Sequence, residues 1–289
     1  MMSKFRHPVV AVSHGPGPLW LLNDGFMGMN RKSVSAQNVR ETFPKIYPSA
    51  NQPLPKRILF VSAHWESESS GFEISSSQNP DMIYDYYGFP DEAYDVVYSA
   101  KGDPAFAKRV ADALNQSKIA AKLVERGYDH GVFVPMSLIR PEADIPITSM
   151  SINDNLSPKA HFELGKALAQ FRDEDTLIIC SGQATHNLRA SRNPSDPISE
   201  WAIGFQDWMD NVFTSTSKLS YAERAEALAT WVKTAPFARL AHPSPDHFSP
   251  FIVAAGAGMD EAAPVGEKII EGWGTGQLSF ATYAWGINK

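Results

Sequence analysis

A single cysteine, Cys180, in 289 residues removes two chemistries at once. One thiol cannot close an internal disulfide, and it cannot build a Cys-rich zinc module. It ends the apolar run "TLIIC" (176–180), where a buried, inert thiol is expected. Charge is sparse too. Charged residues make up 20% and the net charge is −6, with no Lys/Arg block or basic stripe, so nucleic acid is not an expected partner. No apolar run reaches the length of a membrane span, so membrane insertion is not expected either. The N-terminal "MMSKFRHP" leads straight into the strand-like "VVAV" without the layout of a signal peptide. Repeats and low-complexity segments are also missing. What these absences leave is a soluble globular chain, expected in the cytoplasm.

What is present is apolar material and alternation. Hydrophobic residues make up 43%, enough over this length for one large α/β domain or two small ones. Strand-like runs fall at 8–13, 57–63, 71–77, 121–126, 145–152, 176–181 and 278–284. Helical patterns lie between them. "DPAFAKRVADALNQS" and "SPKAHFELGKALAQF" begin on a capping Asp or Ser followed by Pro, the usual chemistry of a helix start. "SEWAIGFQDWMDNVF" and "SYAERAEALATWV" are amphipathic, and "HFSPFIVAAGAG" reads as a buried helix ended by Gly. Such alternation predicts a mostly parallel or mixed central sheet flanked by helices on both faces. The Pro-rich 47–57 and the Gly/Pro-rich 15–30 read as loops rather than linkers, so residues 1–289 are expected to form a single domain.

The eight histidines are not scattered evenly. His7, in the lead-in, and His161, within a helical pattern, are expected on the surface. His14, His64 and His186 each stand at or just past the carboxyl end of an apolar strand, in "VVAVSHGPG", "ILFVSAHWES" and "SGQATHNL". Ligands of open α/β sheets bind at that edge. Three strands delivering imidazoles to one edge have no obvious structural use. Imidazole is both the commonest metal ligand near neutral pH and the side chain that titrates there, so these groups bind a metal, move protons, or divide the two tasks. With no thiolate in the set, ferrous oxygen chemistry and catalytic zinc both fit.

Six segments, in order and over nearly the whole chain, resemble a known family: "SHGPGPLWLL" (13–22), "ILFVSAHWES" (58–67), "YDYYGFPDEAYDVVYSAKGDP" (84–104), "GYDHGVFVPMSLIRPEADIPITSMSI" (127–152), "CSGQATHNL" (180–188) and "HPSPDHFSPFIVAAGAG" (242–258). The chain resembles the class III extradiol ring-cleaving dioxygenases, in particular their 4,5-DOPA extradiol dioxygenase branch. The resemblance implies a metal held by His14, His64 and His247, with His247 standing where the wider class has a glutamate. It implies Fe(II) as the native metal, with Zn possible in purified protein. His186 then matches the catalytic histidine and His130 a second histidine near the substrate. His242 matches a further motif, either supporting the site or shaping a loop. A small aromatic diol and O2 are the implied partners, in a monomer or homodimer. The segment "LNDGFMGMNRKSV" (22–34) departs from the family pattern, so the identity of the diol is not carried over.

The remaining readings are local. The glycines of "HGPGP" would let backbone approach a metal closely. "YDYYGFP" would either wall a pocket or form a surface loop anchored by its tyrosines. Asp129 would either orient an imidazole or cap a turn. Two competing functions remain open at this point. A zinc hydrolase of amidase type would use the same ligands and needs a carboxylate base, for which Glu66 is the candidate. A non-catalytic binding relative would have no need of His130 and His186.

Overall fold

The apolar strand runs assemble into one eight-stranded mixed sheet, described in a computed structural model over residues 5–190, 193 and 195–288. In chain order the strands are β1 (Val9–Ser13), β2 (Arg57–Ser67), β3 (Phe72–Ser75), β4 (Ala121–Val124), β5 (Ile147–Asn153), β6 (Thr176–Gly182), β7 (Glu267–Ile270), β8 (Trp273–Gly274), β9 (Leu278–Ser279) and β10 (Thr282–Trp285). The sheet order is β4-β3-β5-β2-β6-β1-β10-β7, while β8 and β9 pair separately. Its four central strands, β5, β2, β6 and β1, are parallel and fully paired, which is why they read as unbroken apolar runs. Two apolar clusters fill the two faces, so helices cover both sides as expected for a single α/β domain.

One face carries the helices that the capping residues announced. Asp103 accepts the Phe106 N–H at 2.9 Å to start Pro104–Gln116, and Ser157 accepts the Ala160 N–H at 3.2 Å to start Pro158–Leu168. Ser249–Gly258 is buried along its whole length between the sheet and Pro158–Leu168. The other face is covered by His130–Ile139 and Val34–Arg40, neither of which the sequence pattern announced. Among the described residues no helix is long and apolar enough to cross a membrane.

Three expectations need correction. The run 278–284 is not one strand: Leu278–Ser279 pairs with Trp273–Gly274, and only Thr282–Trp285 joins the large sheet. The Ser279 N–H donates to Thr185 Oγ1, and the Gln183 amide donates to the Ser279 carbonyl, drawing that piece toward the loop after β6. His7 and His161 are not on the surface; both are buried. His7 Nδ1 lies 2.9 Å from the Tyr47 hydroxyl. His161 accepts the Asn153 N–H on Nε2 at 3.2 Å and donates from Nδ1 to the Ser157 carbonyl at 3.0 Å, which satisfies a neutral ring. Cys180 is buried as expected, and burial pushes its thiol well above the ordinary range.

Candidate metal centre and active site

Five imidazoles line one cavity at the carboxyl edge of the parallel strands: His14, His64, His130, His186 and His247. His14 follows the last residue of β1, with its N–H bonded to the Gly182 carbonyl at 3.0 Å. His64 sits where β2 loses register with β5. Ser62 pairs with Ser151 and Glu66 with Ile152, so three residues of β2 face one step of β5. Such an irregularity bends a strand and re-aims a side chain, here the His64 imidazole. The main chain around it is pinned. The His64 N–H donates to Ser62 Oγ at 3.2 Å, and Arg126 donates to the His64 carbonyl at 3.2 Å. His247 precedes the helix Ser249–Gly258, and its carbonyl accepts the Gln183 N–H at 3.0 Å. That approach requires glycine at 182, because a Cβ there would lie 2.1 Å from the same carbonyl oxygen.

The outer nitrogen of each ring fixes what the inner one presents. The Ser181 hydroxyl donates to the Gly131 carbonyl at 2.6 Å, so at His14 Nδ1, 3.0 Å away, it can only accept. His14 therefore carries its proton on Nδ1 and a lone pair on Nε2. His247 Nδ1 is 2.9 Å from Asp246 Oδ2, and His64 Nδ1 is 3.3 Å from Asp85 Oδ2. The first is a hydrogen bond and the second an ion-pair contact, and a carboxylate facing a ring nitrogen favours an N–H there. Burial alone would raise Asp85 and Asp246, but hydrogen bonds from His130 and His247 respectively overcome it and hold both below the usual carboxylate range. All three Nε2 atoms thus carry lone pairs, and His64 Nε2 lies 3.2 Å from both His14 Nε2 and His247 Nε2. With these tautomers no proton bridges them, and their lone pairs are open to a cation. Nitrogens sharing an ion at about 2.0–2.1 Å stand about 2.9–3.4 Å apart, which the two spacings from His64 match. Burial, followed by the neighbouring histidines, pushes His14 and His64 well below the ordinary imidazole range, which keeps them neutral and free to ligate.

Among the described residues, the triad whose donor atoms all lie within 4.8 Å of one another is His14, His64 and His130. His130 is held differently from the rest. Its Nδ1 is 2.8 Å from Asp85 Oδ1, and its backbone N–H donates to the same oxygen at 2.9 Å. Asp85 therefore bridges two imidazoles with its two oxygens. His186 stacks flat on His247, with ring centroids 3.6 Å apart and planes 8° from parallel. Its ring has no hydrogen-bond partner among the described residues, and burial, then the adjacent His247, holds it below the ordinary imidazole range.

Residues 9–283 match the family described as the catalytic LigB subunit of aromatic ring-opening dioxygenase. The chain belongs to that family. It is an extradiol, ring-opening dioxygenase of a metal-dependent family. It is 39% identical to the dioxygenase tasH of Hapsidospora irregularis, over 96% of this chain and 85% of that protein. It is 38% identical to the 4,5-DOPA dioxygenase extradiol of Beta vulgaris (79% and 82% covered) and 31% identical to that of Escherichia coli (96% and 94% covered). The crystal structure of an uncharacterized protein from Escherichia coli K12 superposes with a TM-score of 0.72 at 26% identity, covering 97% of this chain and all of that one.

The dioxygenase's cavity has a volume of about 400 Å³. Two surface grooves of about 590 Å³ are larger, but neither is lined by a histidine. The "YDYYGFP" segment serves both anticipated purposes. Tyr86 and Phe89 line the cavity, Tyr84 anchors the loop by donating to the Val96 carbonyl at 2.9 Å, and Tyr87 is 92% exposed. His242 lies outside the cavity; its Nε2–H donates to the Ala184 carbonyl at 3.0 Å, steadying the loop that carries His186. Asp129 orients no imidazole and caps nothing with its side chain. It accepts from Ser62 Oγ at 2.6 Å and so braces the backbone of His64. Glu66 does not line the imidazoles' cavity but a separate one of about 120 Å³, with Asp154 and Asp246. The cavity's described lining thus offers no carboxylate to act as a hydrolase's base. Sequence reasoning missed Asp85, Asp246 and Ser181. Asp246 adjoins His247, and that adjacency was the one available signal.

Proposed function

We propose that the enzyme opens a catechol ring with O2 at a bond beside the two hydroxyls, with a metal held by Nε2 of His14, His64 and His247. Ferrous iron is the native ion in this reading, and zinc can occupy the same nitrogens. The observation that carries it is the set of three inward lone pairs, two of them 3.2 Å from the third. His130 offers a donor atom to the same cluster, and it is assigned to the substrate rather than the metal on the match of "DHGVFVP" to the family's motif. Bound iron would supply positions where diol and O2 meet and a redox path between them.

The remaining work belongs to the chain. A diol must lose a proton on binding, and His186, which lines the cavity with no hydrogen-bond partner among the described residues, is the base and later the acid. His130 keeps its Nδ1–H on Asp85, which leaves Nε2 as an acceptor for a substrate hydroxyl. The aromatic walls, including Tyr86 and Phe89, exclude water from the reacting atoms. In this reading residues 1–289 act as one catalytic unit, and the cytoplasm, where thiols stay reduced, is the compartment that suits ferrous iron.

The test is to load the protein with Fe(II) or Zn(II) anaerobically and follow O2 uptake and product absorbance over a panel of catechols. The iron form is expected to consume one O2 per catechol and release a coloured ring-opened product. The zinc form is expected to bind catechol without turnover, since zinc has no accessible redox change. Zinc-supported hydrolysis of an ester or amide, with no O2 uptake by the iron form on any catechol, would overturn the proposal.

A further inference from the structure

Apart from the imidazoles, the described residues lining the catalytic cavity include no Lys, Arg, Asp or Glu. Its walls are Leu19, Met29, Phe89, Leu278 and Phe280, with Phe26 and Leu188 toward the mouth. Of the polar wall residues besides the imidazoles, Thr275 has a buried hydroxyl with no partner among the described residues, Tyr86 donates to the Ala93 carbonyl, and Gln183 is already committed. Its Oε1 accepts the Gly15 N–H at 3.3 Å, and its amide donates to the Ser279 carbonyl. The apolar lining also continues outward, since Phe26 is 54% exposed and Leu188 63% exposed. Phe26 reaches across to Phe89, with ring centroids 6.4 Å apart and planes 27° from parallel. The two loops therefore meet through aromatic rings rather than through charges. A volume of about 400 Å³ falls in the range of about 300–1,000 Å³ that takes drug-sized ligands, and leaves room beyond a single six-membered ring.

From this we infer that the natural substrate is a catechol bearing an uncharged, apolar substituent, and not one bearing an amino-acid group. The inference rests on the ring-opening reading of the same site and adds the substituent. The physical argument compares two cases. A carboxylate or ammonium carried into these walls loses its hydration and finds no opposite charge, which is costly. An alkyl or aryl group there leaves water for Leu, Met and Phe side chains and gains in proportion to its area. The relatives named for DOPA act on a molecule with both charges, so the wall composition separates this chain from that substrate. Arg189 follows Leu188 in sequence but is exposed and does not line the cavity.

The experiment compares catechols carrying methyl, ethyl, propyl or butyl groups para to one hydroxyl with L-DOPA, dopamine and dihydroxyphenylacetate. It has two readouts: kcat/KM of the iron-loaded enzyme, and affinity for the zinc-loaded enzyme by calorimetry. Both are expected to rise by roughly fourfold per methylene along the alkyl series. The propyl compound is expected to exceed L-DOPA and the acid by at least about tenfold, the scale of discrimination open to an apolar pocket. The comparison is repeated with an Arg189→Ala/Arg192→Ala double variant, because Arg192 lies outside the described residues; the same order is expected. L-DOPA or the acid matching the propyl compound in affinity would overturn the inference. If no catechol is turned over, the ring-opening reading fails, while the calorimetric order still decides the character of the pocket.

Discussion

Replacing Asp85 by asparagine should cost the enzyme its metal before it costs the fold. The carboxylate uses Oδ1 for His130, accepting both the ring N–H at 2.8 Å and the backbone N–H at 2.9 Å, and offers Oδ2 to His64 Nδ1 at 3.3 Å. Asparagine has the same shape but only one acceptor oxygen; its other end is a donor. Two N–H groups at His130 fix where that oxygen must go, so the amide NH2 faces His64. His64 can then meet it only by carrying its proton on Nε2, the atom 3.2 Å from the Nε2 atoms of His14 and His247. A protonated Nε2 is no ligand. Changing a partner of a metal-bound histidine typically lowers metal affinity or activity by about 10- to 100-fold, or about 1.4–2.7 kcal/mol, and the forced tautomer places this variant at the upper end. Chelator competition with Zn(II) or Co(II) measures the loss directly, and circular dichroism verifies the fold. Wild-type metal affinity in Asp85→Asn would show that Asp85 does not set the His64 tautomer, and the lone-pair argument would fail with it.

Two further outcomes follow from the same geometry. His186→Ala should retain metal and lose about 10²–10⁴-fold in turnover, the usual contribution of a general acid–base; metal content falling with it would make His186 a ligand. His161 gives a stability prediction. Burial, only partly offset by the Ser157 carbonyl bond, depresses its pKa in the folded state, so the unfolded chain binds its proton more readily. Its contribution is therefore complete above the unfolded value of about 6.5 and declines as pH falls below it, by at most about 1.4 kcal/mol per pH unit. Urea denaturation at pH 8 and pH 5 should show the wild-type advantage over His161→Gln shrinking at the lower pH; an unchanged advantage would mean that the buried ring is not neutral.

The sheet was legible because its central strands are buried on both faces and so spell continuous apolar runs. The strand-end histidines were legible because a polar ring immediately after such a run has few structural uses. The helix His130–Ile139 was not, since it is apolar nearly all round, carries Pro135 within it and shows no polar face to reveal its period. Glu267–Ile270 was missed for the opposite reason: it is an edge strand, short and partly charged. His161 was misplaced because its helix shows which residues are apolar, not which polar group finds partners inside. Asp85 could not be read at all. It belongs to an irregular segment 45 residues from His130 and 21 from His64, and only the folded chain brings the three together. Asp129, adjacent to His130 in sequence, was the natural suspect, and adjacency misled.

The dual position of Asp85 has a consequence for how this enzyme could change. The stretch that supplies Tyr86 and Phe89 to the cavity wall also supplies the carboxylate that aligns two imidazoles. Selection for a differently shaped substrate cannot remodel that wall without disturbing the chemistry behind it, so drift there is constrained from both sides. The opposite wall carries no such burden. Phe26 and Phe280 make their backbone bonds to Met29 and Gly272, not to a histidine. Diversification of substrate range within the lineage should accumulate on that side, and a directed-evolution library confined to it should yield new specificities while leaving the metal in place.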